Sequence, residues 1–464
     1  MVARRLERMV RQVRRWRSSD GSTPIPVDPT LGEADRRRLC RLIDDCIDAK
    51  GGELAARRRA SAIAATFLTL DDLGRRRFFL TLAHDYDHDD AAVDTAVDAL
   101  VRSRDPEDRR DAERRLAHAL TPSRERLLQR FIGLEDGLSF VVDLREELRS
   151  HREGDPALTA LDQELRHLLT DWFHLGILQL ESITWDSPAA LLEKLIEYEA
   201  VHEITSWADM KGRLGRGRRC YGFFHPLMPG EPLIFVEVAM TTDIAADLGP
   251  LLDHDADRIA SQDAETANFY SISNCQRGLA GVPLGDMLIK QVAERLQADL
   301  PNLRRFATLS PIPGFRDWLI DALDDGAPAV LTESEAELLA PGAPDQAARS
   351  LRSVVAAADV PPPASLAPLE PVLTRLAARY LVEERRGARA LDPVAHFHLS
   401  NGARVERLNW MANPTVAGWE RGLGLMVNYR YDLPHIEGNH DAYVTTGTVE
   451  AADDVRRLLT GGRP

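Results

Sequence analysis

Two histidines stand two residues apart in the segment Val394-Ala-His-Phe-His-Leu. Its apolar and aromatic content predicts a β-strand, in which alternate residues share a face, so His396 and His398 would lie side by side. Such a pair can bind a metal ion, but no neighbouring Asp, Glu or Cys offers an obvious third ligand. Imidazole titrates near neutrality, so the pattern favours a proton donor, and a hydrogen-bonded core histidine is the ordinary alternative.

Ser310 follows a predicted strand, Arg304-Arg-Phe-Ala-Thr-Leu, and opens the segment Ser310-Pro-Ile-Pro-Gly-Phe. The two prolines stiffen the chain, so the hydroxyl would be held rigidly at the end of the sheet. No Gly-x-Ser-x-Gly elbow surrounds it, so an acyl-enzyme serine of the hydrolase type is not indicated. An ordinary turn serine is the alternative.

A glycine-containing loop connects a strand predicted over 267–274 to a helix. The helix is indicated by leucine or valine at every fourth residue, namely Leu284, Leu288, Val292 and Leu296. Pro283 suits its first turn, because proline lacks an N–H and the N–H groups of a first turn have no acceptor within the helix. Exposed N–H groups at such a junction favour an anion such as pyrophosphate. The glycines match neither the dinucleotide nor the P-loop consensus, so a tight strand-to-helix turn is equally compatible.

Two other clusters carry less information. His84 and His88 are four residues apart, but the surrounding acidic run is better explained as a solvated helix end than as a metal site. The basic run at 211–219 could contact phosphates, and a solvated loop fits it equally well.

These candidates must be positioned by two regions of different periodicity. Residues 29–170 show helical spacing, which predicts an all-helical bundle with a scaffold or oligomerisation role. Residues 171–464 mix strand and helix patterns and would form the catalytic domain, with a helical insertion at about 320–385. Strands are expected at 232–241 and again at 423–431, and residues 1–28 read as a flexible tail.

Composition restricts the function. The chain has 464 residues, which is enough for two domains, and a net charge of −15, which argues against non-specific nucleic-acid binding. No apolar run approaches the roughly 20 residues of a membrane span. The four cysteines form no Cys-x-x-Cys pair, which favours a reducing compartment. Basic residues are nearly all Arg, which suggests a bacterial source. The Arg-rich, amphipathic start is similar to a mitochondrial transit peptide, but Glu7 and the lack of a Ser-rich stretch favour a solvated N-terminal helix, so we expect a cytoplasmic protein.

Several segments together resemble the malonyl-CoA decarboxylases. They occur in order and with compatible spacing over nearly the whole chain. They are Phe269-Tyr-Ser-Ile-Ser, Gly278-Leu-Ala-Gly-Val, Leu309-Ser-Pro-Ile-Pro-Gly-Phe, Phe397-His-Leu-Ser-Asn-Gly-Ala, Asn409-Trp-Met-Ala and Asn428-Tyr-Arg-Tyr.

The resemblance implies a fold and a set of site residues. It implies an α+β multidomain protein, with an N-terminal helical bundle that self-associates and a catalytic domain of the GCN5-related acetyltransferase (GNAT) fold. The family's catalytic serine and histidine fall on Ser310 and His398, and Tyr431 matches a further active-site position. Contacts to malonyl-CoA map onto a loop of seven residues: Ala280, Gly281, Val282, Pro283, Leu284, Gly285 and Asp286. Some relatives have Glu where this chain has Pro283, so any role of that carboxylate cannot operate here.

The resemblance also implies a reaction. Malonyl-CoA would lose carbon dioxide through a thioester enolate and give acetyl-CoA, without a metal or organic cofactor, because the thioester itself accepts the electrons. The expected partners are these CoA thioesters and further copies of the chain, as a dimer or tetramer, but neither nucleic acid nor a membrane. An acyl-CoA-dependent acyltransferase of the same fold is the alternative, and a non-catalytic CoA-binding regulator is a third possibility.

Overall fold

A computed structural model describes Val10 and residues 23–174, 176–253, 259–284, 288–325 and 330–460, without the side chains of 344–345 and 363–364. Most of the predicted tail, residues 1–28, therefore lies outside the described residues. The chain forms two compact units. The first contains residues 1–178, 225–231 and 276–284, and the second contains the remainder.

The first unit is built from helices, as the periodicity predicts. Asp105 and Asp155 cap two of them, each followed by a proline in the first turn, where its missing N–H costs nothing. The core contains a cluster of phenylalanine rings in edge-to-face and tilted contact, such as Phe67 with Phe78 and Phe79. The helices are α1 Glu33–Ile47, α2 Glu53–Thr69, α3 Asp72–Asp85, α4 Asp90–Arg102, α5 Pro106–Ala119, α6 Ser123–Ile132, α7 Gly137–His151 and α8 Pro156–Trp172.

The second unit is organised around a mixed sheet. Its strands are β1 Gln179–Ile183, β2 Arg218–Phe224, β3 Pro232–Thr241, β4 Thr266–Asn274, β5 Arg305–Thr308, β6 Ser310–Pro311, β9 Arg404–Asn409 and β10 Met426–Tyr431. They follow the order β1-β2-β3-β4-β5-β10-β6, and β9 also pairs with β10. The pairs are antiparallel except for β4 and β5, which are parallel and therefore need a crossover between them. A helix of that crossover, α12 Leu288–Asp299, buries Leu288, Val292 and Leu296 as its spacing predicts.

Further helices complete the second unit. Before the crossover these are α9 Ala189–Tyr198, α10 Trp207–Arg213 and α11 Gly249–Leu252. The insertion contains α13 Phe315–Asp324, α14 Glu333–Leu339, α15 Pro344–Val355, α16 Pro363–Leu366 and α17 Glu370–Val382, followed by the hairpin of β7 Arg385–Arg386 and β8 Arg389–Ala390. The C-terminal helices are α18 Pro393–Ser400, α19 Val416–Gly422, α20 Ile436–Thr446 and α21 Asp453–Leu459. The expected architecture of a helical region followed by a mixed α and β domain with a helical insertion is confirmed, and the acetyltransferase-type fold of that domain stays a prediction.

Three local predictions are wrong. The segment at 394–399 is not a strand but part of α18, because Asp392 accepts a hydrogen bond from the Ala395 N–H and Pro393 supplies a preformed first turn. The strand predicted from Leu423 begins only at Met426, since Leu423 ends α19 in the left-handed conformation with φ 55°. Pro283 is not helical, and the helix after it is described from Leu288 onward.

No helix among the described residues is both long enough and apolar enough to traverse a bilayer.

Candidate active site

Ser310 is held at the end of the sheet, as its position before two prolines predicts. It forms the short strand β6, where it pairs with Val427 of β10. Its side chain is buried, with 6% of the residue exposed. The hydroxyl therefore sits inside the second unit and not in a solvated turn.

His398 reaches this hydroxyl from α18. Its Nε2 lies 3.1 Å from Ser310 Oγ, although the two residues are 88 positions apart in the chain. The imidazole is buried and stacks on the ring of Tyr429, with ring centres 4.4 Å apart. The helix end and the aromatic face together fix the direction in which Nε2 points.

Tyr431 contacts the other ring nitrogen of the same histidine. Its hydroxyl lies 2.7 Å from Nδ1 of His398 and is equally buried. Tyr431 stands near the end of β10, where it pairs with Phe306 of β5. The structure thus brings together the three residues that the family resemblance selects, in the order serine, histidine, tyrosine.

Thr308 determines how hydrogens are placed along this chain of groups. Its Oγ1 accepts the hydrogen bond of the Ser310 hydroxyl at 2.9 Å and that of the Tyr429 N–H at 3.1 Å. Because the serine hydrogen is used there, Nε2 of His398 must carry the proton and donate to Ser310 Oγ. Nδ1 then accepts from the Tyr431 hydroxyl. Sequence reasoning missed Thr308, although residues two apart in extended chain share a face.

Burial determines the protonation of the histidine. It lowers the pKa of His398 to about 3, because the charged imidazolium would lose its hydration. Burial likewise raises the pKa of the Tyr431 hydroxyl well above its ordinary value. At neutral pH the site therefore holds a neutral imidazole and a neutral phenol, which are hydrogen-bond donors without charge.

His396 does not belong to this site. Residues two apart in a helix are separated by about 200° around the axis, so His396 points away from His398. Its Nδ1 instead lies 2.9 Å from the hydroxyl of Tyr443, which also accepts the Ala390 N–H. The predicted shared face of the two histidines is therefore wrong.

The predicted substrate loop, as far as Leu284, belongs to the first unit. Arg145, buried on α7, donates to the Gly278 carbonyl at 2.6 Å and pairs with Asp162. A Cβ on Gly278 would lie only 1.9 Å from the Val142 carbonyl oxygen, so only glycine permits this approach. The loop residues Ala280, Gly281 and Pro283 are exposed, Val282 is buried and Leu284 is half-buried. Gly285 and Asp286 lie outside the described residues.

The basic run at 211–219 contributes buried side chains and not only solvated ones. Arg213 pairs with Asp209 and Glu237 at 3.0 Å each, and both it and Glu237 are buried. Burial raises the pKa of the Glu237 carboxyl to about 7. This arginine therefore neutralises buried carboxylates and is not directed towards an external phosphate.

The acidic run near His84 and His88 forms no group with metal-ligand spacing among the residues described. The ligand atoms of Asp72, Glu147 and His151 do lie within 4.8 Å of one another, on α3 and α7. Arg75 already pairs with Glu147 there at 3.1 Å. This group therefore serves as an ion-pair cluster between two helices.

The fold and site define an α+β protein with a buried serine–histidine–tyrosine arrangement, and its similarity to known proteins identifies the family. Residues 86–173 match the model of the malonyl-CoA decarboxylase N-terminal domain, and residues 176–463 match that of the C-terminal domain. The chain belongs to the malonyl-CoA decarboxylase family.

Relatives agree over nearly the full length. A mitochondrial malonyl-CoA decarboxylase from Anser anser anser is 36% identical over 479 residues, which cover 99% of this chain and 95% of the relative. The crystal structure of malonyl-CoA decarboxylase from Rhodopseudomonas palustris superimposes with a TM-score of 0.82 at 39% identity, covering 91% of this chain and 99% of that one. The crystal structure of malonyl-CoA decarboxylase from Agrobacterium vitis has a TM-score of 0.80 at 38% identity, and the match covers 92% of this chain and 100% of that one.

Proposed function

We propose that this chain converts malonyl-CoA to acetyl-CoA and carbon dioxide. The observation that carries the proposal is the buried hydrogen-bonded series Ser310–His398–Tyr431, in a chain that belongs to the malonyl-CoA decarboxylase family. In the reaction the bond between C2 and the carboxylate breaks, its electron pair moves into the thioester as an enolate, and C2 gains one proton. The thioester carbonyl accepts the electrons, so the substrate supplies its own electron sink.

Ser310 and His398 are proposed to stabilise the enolate. Hydrogen-bond donors aimed at a developing oxyanion stabilise it most strongly when they are fixed beforehand and shielded from water. Ser310 Oγ and Nε2 of His398 lie 3.1 Å apart in a buried setting, and both would turn towards the enolate oxygen, the hydroxyl from Thr308 and the Nε2–H from Ser310. The removal of one donor from a well-studied oxyanion hole costs roughly 2.7–4 kcal/mol.

His398 and Tyr431 are proposed to deliver the proton to C2. The lowered pKa of His398 means that imidazolium is not the donor at neutral pH. A thioester enolate carbon is a much stronger base than an imidazole nitrogen, so the neutral Nε2–H is acidic enough to protonate it. This transfer leaves an imidazolate, to which Tyr431, at 2.7 Å from Nδ1, gives its own proton, and a proton from solvent then restores the phenol.

The loop from Ala280 to Asp286 is proposed to hold the CoA portion of the substrate. Its support is that Ala280 and Gly281 are exposed residues, and that Arg145 fixes the start of the loop by donating a hydrogen bond to the Gly278 carbonyl. Pro283 replaces the Glu of some relatives, so no carboxylate from that position takes part.

Self-association and compartment complete the proposal. We expect a dimer or tetramer formed through the helical region, which exposes Val101 by 79% and Leu120 by 52%. Light scattering after size-exclusion chromatography measures the number of subunits.

A cytoplasmic location is supported by four free thiols. Curated relatives are mitochondrial, so cell fractionation is the test.

The decisive experiment incubates the purified protein with malonyl-CoA labelled in the free carboxyl group, without any acceptor. We expect release of labelled carbon dioxide together with acetyl-CoA, identified by mass. Ser310→Ala and His398→Asn should each lower kcat far more than they weaken CoA binding. An acyltransferase would require an amine acceptor, and a CoA-binding regulator would return the substrate unchanged, so either result would refute decarboxylation.

A further inference from the structure

Two arginines of the helical unit flank the proposed substrate loop. Arg149 lies on α7 and its Nη1 donates to the Ala280 carbonyl at 3.2 Å. Arg166 lies on α8, and its Cδ is 3.6 Å from the place where a Cβ of Gly281 would stand. Both side chains therefore pass directly beside the exposed part of the loop, at Ala280 and Gly281.

The charges of these two arginines are not neutralised by the described residues. Neither Arg149 nor Arg166 has a carboxylate within ion-pair distance in the described part of the chain, and Arg166 contacts only the His167 ring at 3.5 Å. Their neighbours differ, because Arg145 and Arg152 both pair with Asp162. In a chain with a net charge of −15, two uncompensated guanidinium groups beside one loop attract an anion.

The loop backbone adds a donor at the same place. Gly281 adopts a left-handed conformation with φ 76°. The N–H groups of Leu279, Ala280 and Val282 are bonded within the loop, whereas that of Gly281 has no acceptor among the described residues. An unpaired N–H on an exposed residue, with two arginine side chains passing beside it, suits phosphate oxygens, which accept several charge-assisted hydrogen bonds at once.

We propose that Arg149 and Arg166 bind the phosphate groups of the CoA portion of malonyl-CoA. This inference rests on the proposed function and deepens it at the substrate loop. The arginines act on binding alone, because the phosphates take no part in the loss of carbon dioxide. Their removal therefore changes KM and leaves kcat nearly unaltered.

The test compares Arg149→Gln, Arg166→Gln and the double variant with the wild type on three substrates. With malonyl-CoA, each single variant should raise KM about tenfold, with kcat within about twofold. With malonyl-pantetheine, which has no such phosphates, the variants and the wild type should agree. Malonyl-dephospho-CoA distinguishes the sources: if the difference disappears, the arginines bind the 3′-phosphate, and if it persists, they bind the diphosphate.

Two outcomes would overturn the inference. One is an unchanged KM for malonyl-CoA, and the other is an equal rise of KM with malonyl-pantetheine, which would mean that the arginines only position the loop. Arg115→Gln, an exposed arginine on α5, is the matched control and should change nothing. Calorimetry with CoA and dephospho-CoA measures the same binding without turnover, so a failure of decarboxylation is distinguished from a failure of this inference.

Discussion

The Tyr431 hydroxyl lies 2.7 Å from Nδ1 of His398, on the side of the ring opposite to the nitrogen that faces Ser310. The imidazole is therefore contacted at both nitrogens by hydroxyl groups and has no carboxylate partner among the residues that the structure describes. A carboxylate would favour the charged ring, whereas a phenol in a buried site favours the neutral one. Burial keeps His398 neutral, and the contacts at its two nitrogens determine its tautomer.

Tyr431→Phe should lower kcat by about 10–100-fold with little change in KM, because it removes the group that holds the proton on Nε2 and replaces it after transfer. Steady-state kinetics with malonyl-CoA measure the effect. Tyr443→Phe is the matched control, since it deletes the same hydroxyl from the other histidine–tyrosine pair, at His396. Equal losses in the two variants would contradict the proposed role of Tyr431.

Thr308→Val should also lower kcat, by about tenfold, because the Ser310 hydroxyl would turn to Nε2 of His398 and move the imidazole proton to Nδ1. The buried Tyr429 N–H would lose its acceptor at a cost of about 1–3 kcal/mol in unfolding free energy. Thr308→Ser keeps the acceptor and should restore kcat. If serine failed to restore it, Thr308 would matter through packing and not through its hydroxyl.

Acid should destabilise the wild type more than His398→Asn. The folded pKa of His398 is lowered from 6.5 to about 3, so between these values the unfolded chain binds the extra proton. The unfolding free energy then falls as the pH drops, by about 2 kcal/mol at pH 5 for this one group. Urea unfolding of both proteins at pH 7.5 and pH 5 measures how much unfolding free energy each loses on acidification. An equal loss in the two proteins would show that the ring is not held neutral.

Gly278→Ala should reduce the unfolding free energy by about 1–3 kcal/mol, because its Cβ would collide with the Val142 carbonyl and shift the loop. Gly438→Ala is the matched control. No atom lies within 4 Å of the added methyl group there, and alanine in α20 should stabilise by up to about 1 kcal/mol. Thermal unfolding of both variants checks the prediction, and a neutral Gly278→Ala would mean that the loop does not need this close approach.

Much of the fold could be predicted from local pattern. The helical spacing of residues 29–170 and the apolar runs that became β3 and β4 are period signals, which depend only on neighbouring residues. The strand prediction at 394–399 was wrong because the helix-start signal of Asp392-Pro393 prevails over the strand preference of the apolar residues that follow. This capping signal was present in the sequence. Resemblance, and not periodicity, selected Ser310, His398 and Tyr431.

By itself, the sequence determined which chemical groups are available and which segments become helix or strand, because those properties are local. Only the tertiary structure decided that Thr308 takes the serine hydrogen and that His398 stays neutral. It also decided that Arg149 meets Ala280, 131 positions away. Hydrogen-bond direction, pKa and charge compensation depend on which distant residues share a buried space, and no spacing along the chain contains that information.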